Sequence, residues 1–348
     1  MYPEVPDFRK LIYNRYNFAK NILSINFLIK VSKQKLILPC YHIVSDGHLK
    51  HIINLYKYKN VDSFKSDLDF LMKHYEPIDL FDLIKLIKHK SQPSSNTFYI
   101  SFDDGLREFY HIISPVLLER GIPATCFLNP AFIDNKDLFF RYKASVLIEL
   151  IHGINRKSKE WKILKSWFAD NNMAVTYYKP ELLKIKYNRK NILDDLAGVL
   201  NFNFKDYLEK EKPYLTTHQI NELIKKGFTF GAHSIDHPEY RYISFDEQIK
   251  QTKQSISEIS SRFKLDYKIF SFPFTDHKIS REFFQEINKD NSIDFTAGSA
   301  GIKQDSVDNN IHRIPMDEYY LDAKDRIKID YIYYLIKSVF NKNRITRS

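Results

Sequence analysis

The chain has 348 residues, 43% of them hydrophobic, with a formal net charge of +10. Such a length and apolar content give one large domain with an insertion, or two modest ones, and argue against disorder. Its two cysteines, Cys40 and Cys126, lie in apolar runs; they read as buried thiols, too few for a thiolate zinc site, which leaves His, Asp and Glu as metal ligands. The positive charge is spread along the chain without a polybasic block, so it reads as a solvated surface, and no nucleic-acid partner is expected.

From the N-terminus, the first residues show no export signal, and the apolar stretch 22–31 is too short and too polar-flanked to span a bilayer. Residues 18–35 and 331–347 mix lysine with large apolar side chains, the pattern of a helix that packs on a domain or makes peripheral contact with a membrane. Residues 36–41 form an apolar run ending at His42. Phe64, Leu68 and Leu71 follow at helical spacing within 61–75.

Residues 97–102 form a second β-rich run. The amphipathic stretch 106–120 is then closed by Gly121 with Pro123 beyond it, and 124–128 is the next strand. Alternation of this kind predicts a parallel sheet with helices outside, and working residues at the C-terminal ends of the strands. Residues 135–216 lose strand periodicity, carry both tryptophans (Trp161 and Trp167) and read as a helical insertion. Alternation then resumes: a helix over 217–226, a strand over 228–232, a long helix over 244–263 and a strand over 267–272 closed by Pro273. A helix capped by Ser280 and a short β run at 294–297 complete it.

Two motifs carry the chemistry. Ser101-Phe102-Asp103-Asp104-Gly105 places two adjacent carboxylates at a strand end, a pair of like charges that needs a cation, a proton or solvent to be held there. His233-Ser234-Ile235-Asp236-His237 ends a later strand and offers two imidazoles for such a cation. Either motif alone reads equally well as a polar turn, with Asp103 and Asp104 capping the next helix. Their joint occurrence at two strand ends favours a metal site.

In order and context these motifs resemble those of the polysaccharide deacetylase family, also called the NodB-homology or carbohydrate esterase family 4 domain. The resemblance covers about residues 36–134 and 214–316. It implies an α/β fold, a distorted (β/α)7 TIM-like barrel; with the helical patterns outside the matched segments, the chain divides into an N-terminal helical extension (1–34), barrel (35–134), helical insertion (135–216), barrel (217–316) and a C-terminal helical tail (317–348). It also implies a divalent metal, Zn2+ by preference with Co2+ or Ni2+ as alternatives, held by Asp104, His233 and His237. Asp103 would then be the base for the attacking water.

Two further family motifs are altered. Where the family usually has Arg-x-Pro-Tyr/Phe, this chain has Ser271-Phe272-Pro273-Phe274, so the Arg that normally pairs with the base is missing; Phe274 remains a candidate for the substrate wall and oxyanion hole. His312 in His312-Arg313-Ile314-Pro315 is the nearest match to the family's general acid, with His42 and His277 as rivals, and Arg313 is a candidate replacement for the missing Arg. His42, Phe274 and Arg313 are assigned to substrate binding. The implied activity is removal of N-acetyl groups from amino sugars of a polysaccharide or glycolipid precursor. The alternatives are an O-acetyl esterase and a non-catalytic glycan-binding protein on the same barrel. With no export signal seen, a cytoplasmic chain acting at the inner membrane face is expected.

Overall fold

A computed structural model of the chain describes residues 23–290, 292–317 and 321–348. Residues 1–22, most of the expected N-terminal extension, lie outside the described residues.

The centre is an eight-stranded, all-parallel sheet. Its strands are β1 (Pro39–Tyr41), β2 (Ile100–Phe102), β3 (Ala124–Leu128), β4 (Thr229–Ala232), β5 (Ile269–Ser271), β6 (Phe295–Gly298), β7 (Asn310–His312) and β8 (Ile314–Pro315). The spatial order is β7-β6-β5-β4-β3-β2-β1-β8. Nearly every strand residue is buried, as expected of parallel strands covered by helices outside and packed side chains within. The last two strands are one extended run broken only at Arg313: β7 pairs with β6, and β8 pairs with β1. Backbone bonds from Arg313 N to Gly298 O (3.0 Å) and from Ile314 N to Leu38 O (2.8 Å) link the two edges and close the barrel. Counting that run once gives the (β/α)7 barrel that the alternation predicts.

The helices are α1 (Ile25–Ser32), α2 (Val61–His74), α3 (Leu80–Lys88), α4 (Ser114–Glu119), α5 (Phe140–His152), α6 (Lys159–Asp170), α7 (Tyr178–Leu183), α8 (Ile192–Val199), α9 (Phe204–Glu211), α10 (Thr217–Lys225), α11 (Phe245–Phe263), α12 (Arg281–Ile287) and α13 (Ala323–Val339). Side-chain caps start many of them; Thr216 and Gln219 form a capping box at α10, and Ser244 and Ser280 cap α11 and α12. The stretch expected to be one helix over 106–120 is instead a π-helical turn, Phe109–Ile113, followed by α4. Pro115 near the start of α4 has no N–H to continue a regular ladder, and the wider turn absorbs the mismatch.

The expected strands at 36–41 and 97–102 each split. Leu36–Ile37 and Thr97–Phe98 leave the barrel to form a small parallel sheet with Glu76–Pro77.

Helices α5 to α9 fill residues 135–216 around buried Leu147, Phe168, Leu182, Leu193 and Leu196. Trp161 and Trp167 are partly buried against that core. At the other end of the chain, the tail expected to be helical through 317–348 is, among the described residues, helical only in α13; Arg344–Ile345 pairs with Gln304–Asp305 instead. Helix α13 is bound toward α1 through Tyr331 Oη, which donates to Gln34 O (2.8 Å). Among the described residues, no helix is long and apolar enough to cross a membrane.

Gly105 follows Asp104 at φ 61°, and a Cβ there would meet Leu128 Cδ2 at 2.7 Å. Gly121 has a similar φ of 65° with open space around it. Gly121→Ala is therefore expected to cost roughly 1–2 kcal/mol from backbone strain alone. Gly105→Ala should cost about 1–3 kcal/mol more from overpacking, measured as the difference between their urea-unfolding free energies.

Candidate active site

The site stands at the C-terminal ends of β1, β2, β4 and β5 and the break between β7 and β8. Strand β2 delivers Asp103 and Asp104, both buried. Four non-glycine residues here adopt left-handed backbone: Asp104 (φ 71°), Ser234 (65°), His237 (62°) and Phe274 (58°). Asp tolerates that region better than most residues; for Phe274 it is costly, and such strain persists only where surrounding structure imposes it.

Asp103 is held by Arg313 in a two-pronged ion pair, Nη1 to Oδ1 at 2.8 Å and Nη2 to Oδ2 at 2.7 Å. The same guanidinium donates to Ser101 Oγ (3.0 Å) and Ser271 Oγ (2.5 Å). Ser271 occupies the position where the family motif has Arg. Its small hydroxyl accepts from a guanidinium that comes from the closing strand. Burial alone would raise the Asp103 carboxyl, but Arg313 and His233 outweigh it and hold it below its ordinary value.

Asp104 divides its two oxygens. Oδ2 accepts a hydrogen bond from Tyr142 Oη (2.7 Å), and Oδ1 faces His237 Nε2 (3.2 Å) and His233 Nε2 (3.5 Å). His233 Nδ1 lies 2.8 Å from the Ser271 carbonyl, an acceptor only, so Nδ1 carries the proton and Nε2 a lone pair. Burial lowers the His233 pKa to about 4, and the ring is neutral near neutral pH. Its Nε2 and Asp104 Oδ1 are buried without a hydrogen-bond partner among the described residues. Two lone-pair atoms aimed at one another call for a cation between them. One ligand atom from each of Asp104, His233 and His237 lies within 4.8 Å of the others, which suits a divalent ion bound by one carboxylate and two imidazoles. Burial opposes ionisation of Asp104, yet His237, His42 and His233 hold its pKa well below the carboxylate range.

Phe139 and Phe274 flank the His237 ring at 4.3 and 4.7 Å between centroids. Asn129 bonds the carbonyls of His233 and Ser234, and Ser234 Oγ accepts from His237 N (3.0 Å). Asp236 turns away to Tyr187 Oη (2.7 Å) and Lys190 Nζ (2.5 Å) of the insertion.

His42, at the end of β1, lines a cleft with Asp104, His237, Phe274, Tyr142, Tyr56 and Arg141. Its backbone N donates to Asp317 Oδ2 (2.8 Å), and its Nδ1 is 2.9 Å from the same oxygen. Burial lowers the imidazole pKa, but the bond to Asp317 and the nearby Asp104 charge overcome this and raise it to about 9. His42 therefore lines the cleft as an imidazole whose charged form Asp317 favours.

His312 is not in this cleft, which corrects its assignment as general acid. Successive residues of an extended run point to opposite faces, so Arg313 enters the barrel and His312 leaves it. Its Nε2 lies 2.8 Å from Asp305 Oδ2, in a buried cluster with Asp276. Arg347 contacts both carboxylates and supplies the cluster's positive charge. His277 is exposed and outside the residues lining the cleft. Tyr142, Asp317, Tyr56 and Arg141 were not singled out by the sequence, because their approach depends on how the insertion and the closing strand fold back.

A parallel barrel with a carboxylate and two imidazoles converging at the C-terminal end of its strands has the arrangement of a metal-suited barrel hydrolase. The chain belongs to the polysaccharide deacetylase family, whose sequence profile matches residues 90–291. It is 27% identical over 166 residues to YheN of Bacillus subtilis (strain 168), which carries the name of a polysaccharide deacetylase. That match takes in 46% of this chain and about half, 52%, of the length of that relative.

Among solved structures, the Streptococcus pyogenes deacetylase PplD in complex with acetate superposes with a TM-score of 0.53 at 12% identity, over 85% of this chain and 97% of that one. IcaB from Ammonifex degensii gives 0.51 at 12%, over 86% and 97%. BC0361, a polysaccharide deacetylase from Bacillus cereus, gives 0.51 at 13%, over 85% and 69%. At these identities the likeness speaks for the fold.

Tyr142, from the insertion, orients the Asp104 carboxylate, which would be a ligand of a bound metal. Tyr142→Phe is expected to weaken divalent-metal binding by roughly ten- to a hundredfold, as outer-shell partners of metal ligands do, read by competition with a chromophoric chelator.

Proposed function

We propose that the chain hydrolyses the acetamide of an N-acetylated amino sugar in a polysaccharide or its glycolipid precursor, with a divalent metal as cofactor. The observation that carries this reading is the convergence of three metal-suited atoms, from Asp104, His233 and His237, with the Arg313-fixed carboxylate next to Asp104 in the chain and a cleft lined by Asp104, His237 and the Asp317-fixed imidazole of His42. A site that only bound glycan would have no use for a fixed carboxylate and a fixed imidazole beside a cation site. A divalent cation held by Asp104, His233 and His237 would supply Lewis-acid polarisation and lower the pKa of water.

The protein residues do the rest. Asp103, ionised and locked in place by Arg313, takes a proton as a water oxygen bonds to the acetyl carbon. Arg313 fixes both oxygens of Asp103, which keeps this carboxylate apart from the set, Asp104, His233 and His237, that would hold a metal. His42 delivers its proton to the amine nitrogen as the C–N bond breaks, leaving acetate and a free amino sugar. Asp317 holds the His42 ring by Nδ1 and favours its charged form. Phe139 and Phe274 pack about His237 and exclude water from that side.

Asp103→Asn should lower acetate release from an N-acetylated glycan by roughly a hundred- to ten-thousandfold without removing the metal. Stoichiometric metal with no acetate from a panel of N- and O-acetylated glycans would overturn the catalytic reading; release from O-acetyl esters alone would move the chain to the esterase alternative.

Asp317→Asn tests the acid. With its folded pKa raised to about 9, His42 is protonated at neutral pH and loses its proton as pH rises toward that value. Removing the Asp317 charge should move the alkaline limb of kcat to lower pH by roughly one unit. An unmoved limb would assign the acid elsewhere.

A further inference from the structure

The cleft carries a charge that the hydrolysis does not use. Arg141, second residue of α5, lines it beside His237 and Asp104, although its side chain is only 5% exposed. Its guanidinium donates to the Leu183 carbonyl and to Glu239 Oε1 (2.8 Å) and lies 6.0 Å from the centre of the Phe274 ring. Arg141 Nε is buried without a hydrogen-bond partner among the described residues.

Nor does Glu239 neutralise Arg141 alone. The same carboxylate lies 3.6 Å from Arg241 Nη2 and 3.8 Å from Lys186 Nζ, so three cations share one anion, a formal surplus of two positive charges. The neighbouring Lys190 and Asp236 pair one to one and leave that surplus unchanged. A guanidinium taken out of water with part of its donor set unused is costly unless an anion completes it, and a planar fork of N–H groups is suited to carboxylate and phosphate. Glu239 stands two residues after His237, and of the three cations Arg141 lines the cleft together with His237 and Asp104.

Resting on the deacetylase reading, we propose that the substrate is an anionic N-acetylated glycan, with a carboxylate or phosphate next to the acetylated sugar, and that Arg141 recognises this charge while Lys186 and Arg241, sharing Glu239 with it, add to the local positive charge. Arg141 is a specificity residue in this scheme and takes no part in the proton transfers. An anion reaching it makes charge-assisted hydrogen bonds to a buried guanidinium, where they count for more than at the surface.

The test is calorimetric binding to the full chain carrying Asp103→Asn, so that no probe is consumed, at low ionic strength. Three probes are compared: neutral N-acetylchitotetraose, a hyaluronan tetrasaccharide bearing glucuronate carboxylates, and an oligomer of N-acetylglucosamine joined through phosphodiesters. At least one charged probe is expected to bind about tenfold more tightly than the neutral one, and which of the two does so identifies the anion. That preference should shrink when Arg141→Gln is added and when Lys186→Ala and Arg241→Ala are added together. The second variant alters side chains that are more exposed than Arg141 and keeps the test decisive if Arg141→Gln does not fold. No measurable binding of any probe, equal affinity for all three, or a preference that survives in every folded variant would overturn the proposal. Acetate release by the unmodified chain is scored separately, so failure of the deacetylase reading leaves the charge preference measured.

Discussion

Asp103 and Asp104 are neighbours in the chain, both buried and both held below the ordinary carboxylate range, and the rest of the site is arranged around that pair. Two like charges out of water are stable only if each has its own counter-charge, and the protein keeps the two solutions apart. Asp103 receives a guanidinium that grips both of its oxygens. Asp104 gives one oxygen to Tyr142 and turns the other toward two imidazole nitrogens. The left-handed backbone at Asp104 and Gly105 turns the chain sharply at this point, and Leu128 leaves no room for a side chain at Gly105.

Much of this is legible in the sequence because it is local. A strand pattern followed by Asp-Asp-Gly, and a second strand followed by His-x-x-x-His, place four polar groups at the same end of a parallel sheet once the βα alternation is accepted. The Arg partner of Asp103 is less legible. Its usual motif position holds Ser271, and the sequence offers Arg313 only as one candidate, because nothing local says that β7 and β8 form one run closing the barrel between β6 and β1. The same run misleads about His312: a shift of one residue in an extended segment reverses the face, and a histidine beside a useful arginine faces the other way. Asp317 and Tyr142 are invisible for a related reason. Each reaches the site from an element whose path is set by packing over long sequence separations.

The insertion is part of the site as well as an addition to the barrel. Through α5 it brings Tyr142 to Asp104 and Arg141 to the cleft, and through Tyr187 and Lys190 it binds Asp236 inside the second motif. Its core is continuous with Ile43 and Ile52, just after β1, so the loop carrying His42 and the helix carrying Tyr142 are packed as one body. Residues that orient the metal-suited cluster are therefore tied to residues that shape the cleft, and a change in the insertion should alter both.

The central claim is that the two carboxylates have unequal partners, Asp104 a cation and Asp103 an arginine. Anomalous diffraction from crystals grown with zinc tests it most directly. The account predicts one strong peak at about 2.0–2.2 Å from Asp104 Oδ1, His233 Nε2 and His237 Nε2, with Asp103 still paired to Arg313. A peak ligated by Asp103 with Arg313 turned away, a peak at the Asp276, Asp305 and His312 cluster in place of this one, or no peak at all would contradict it.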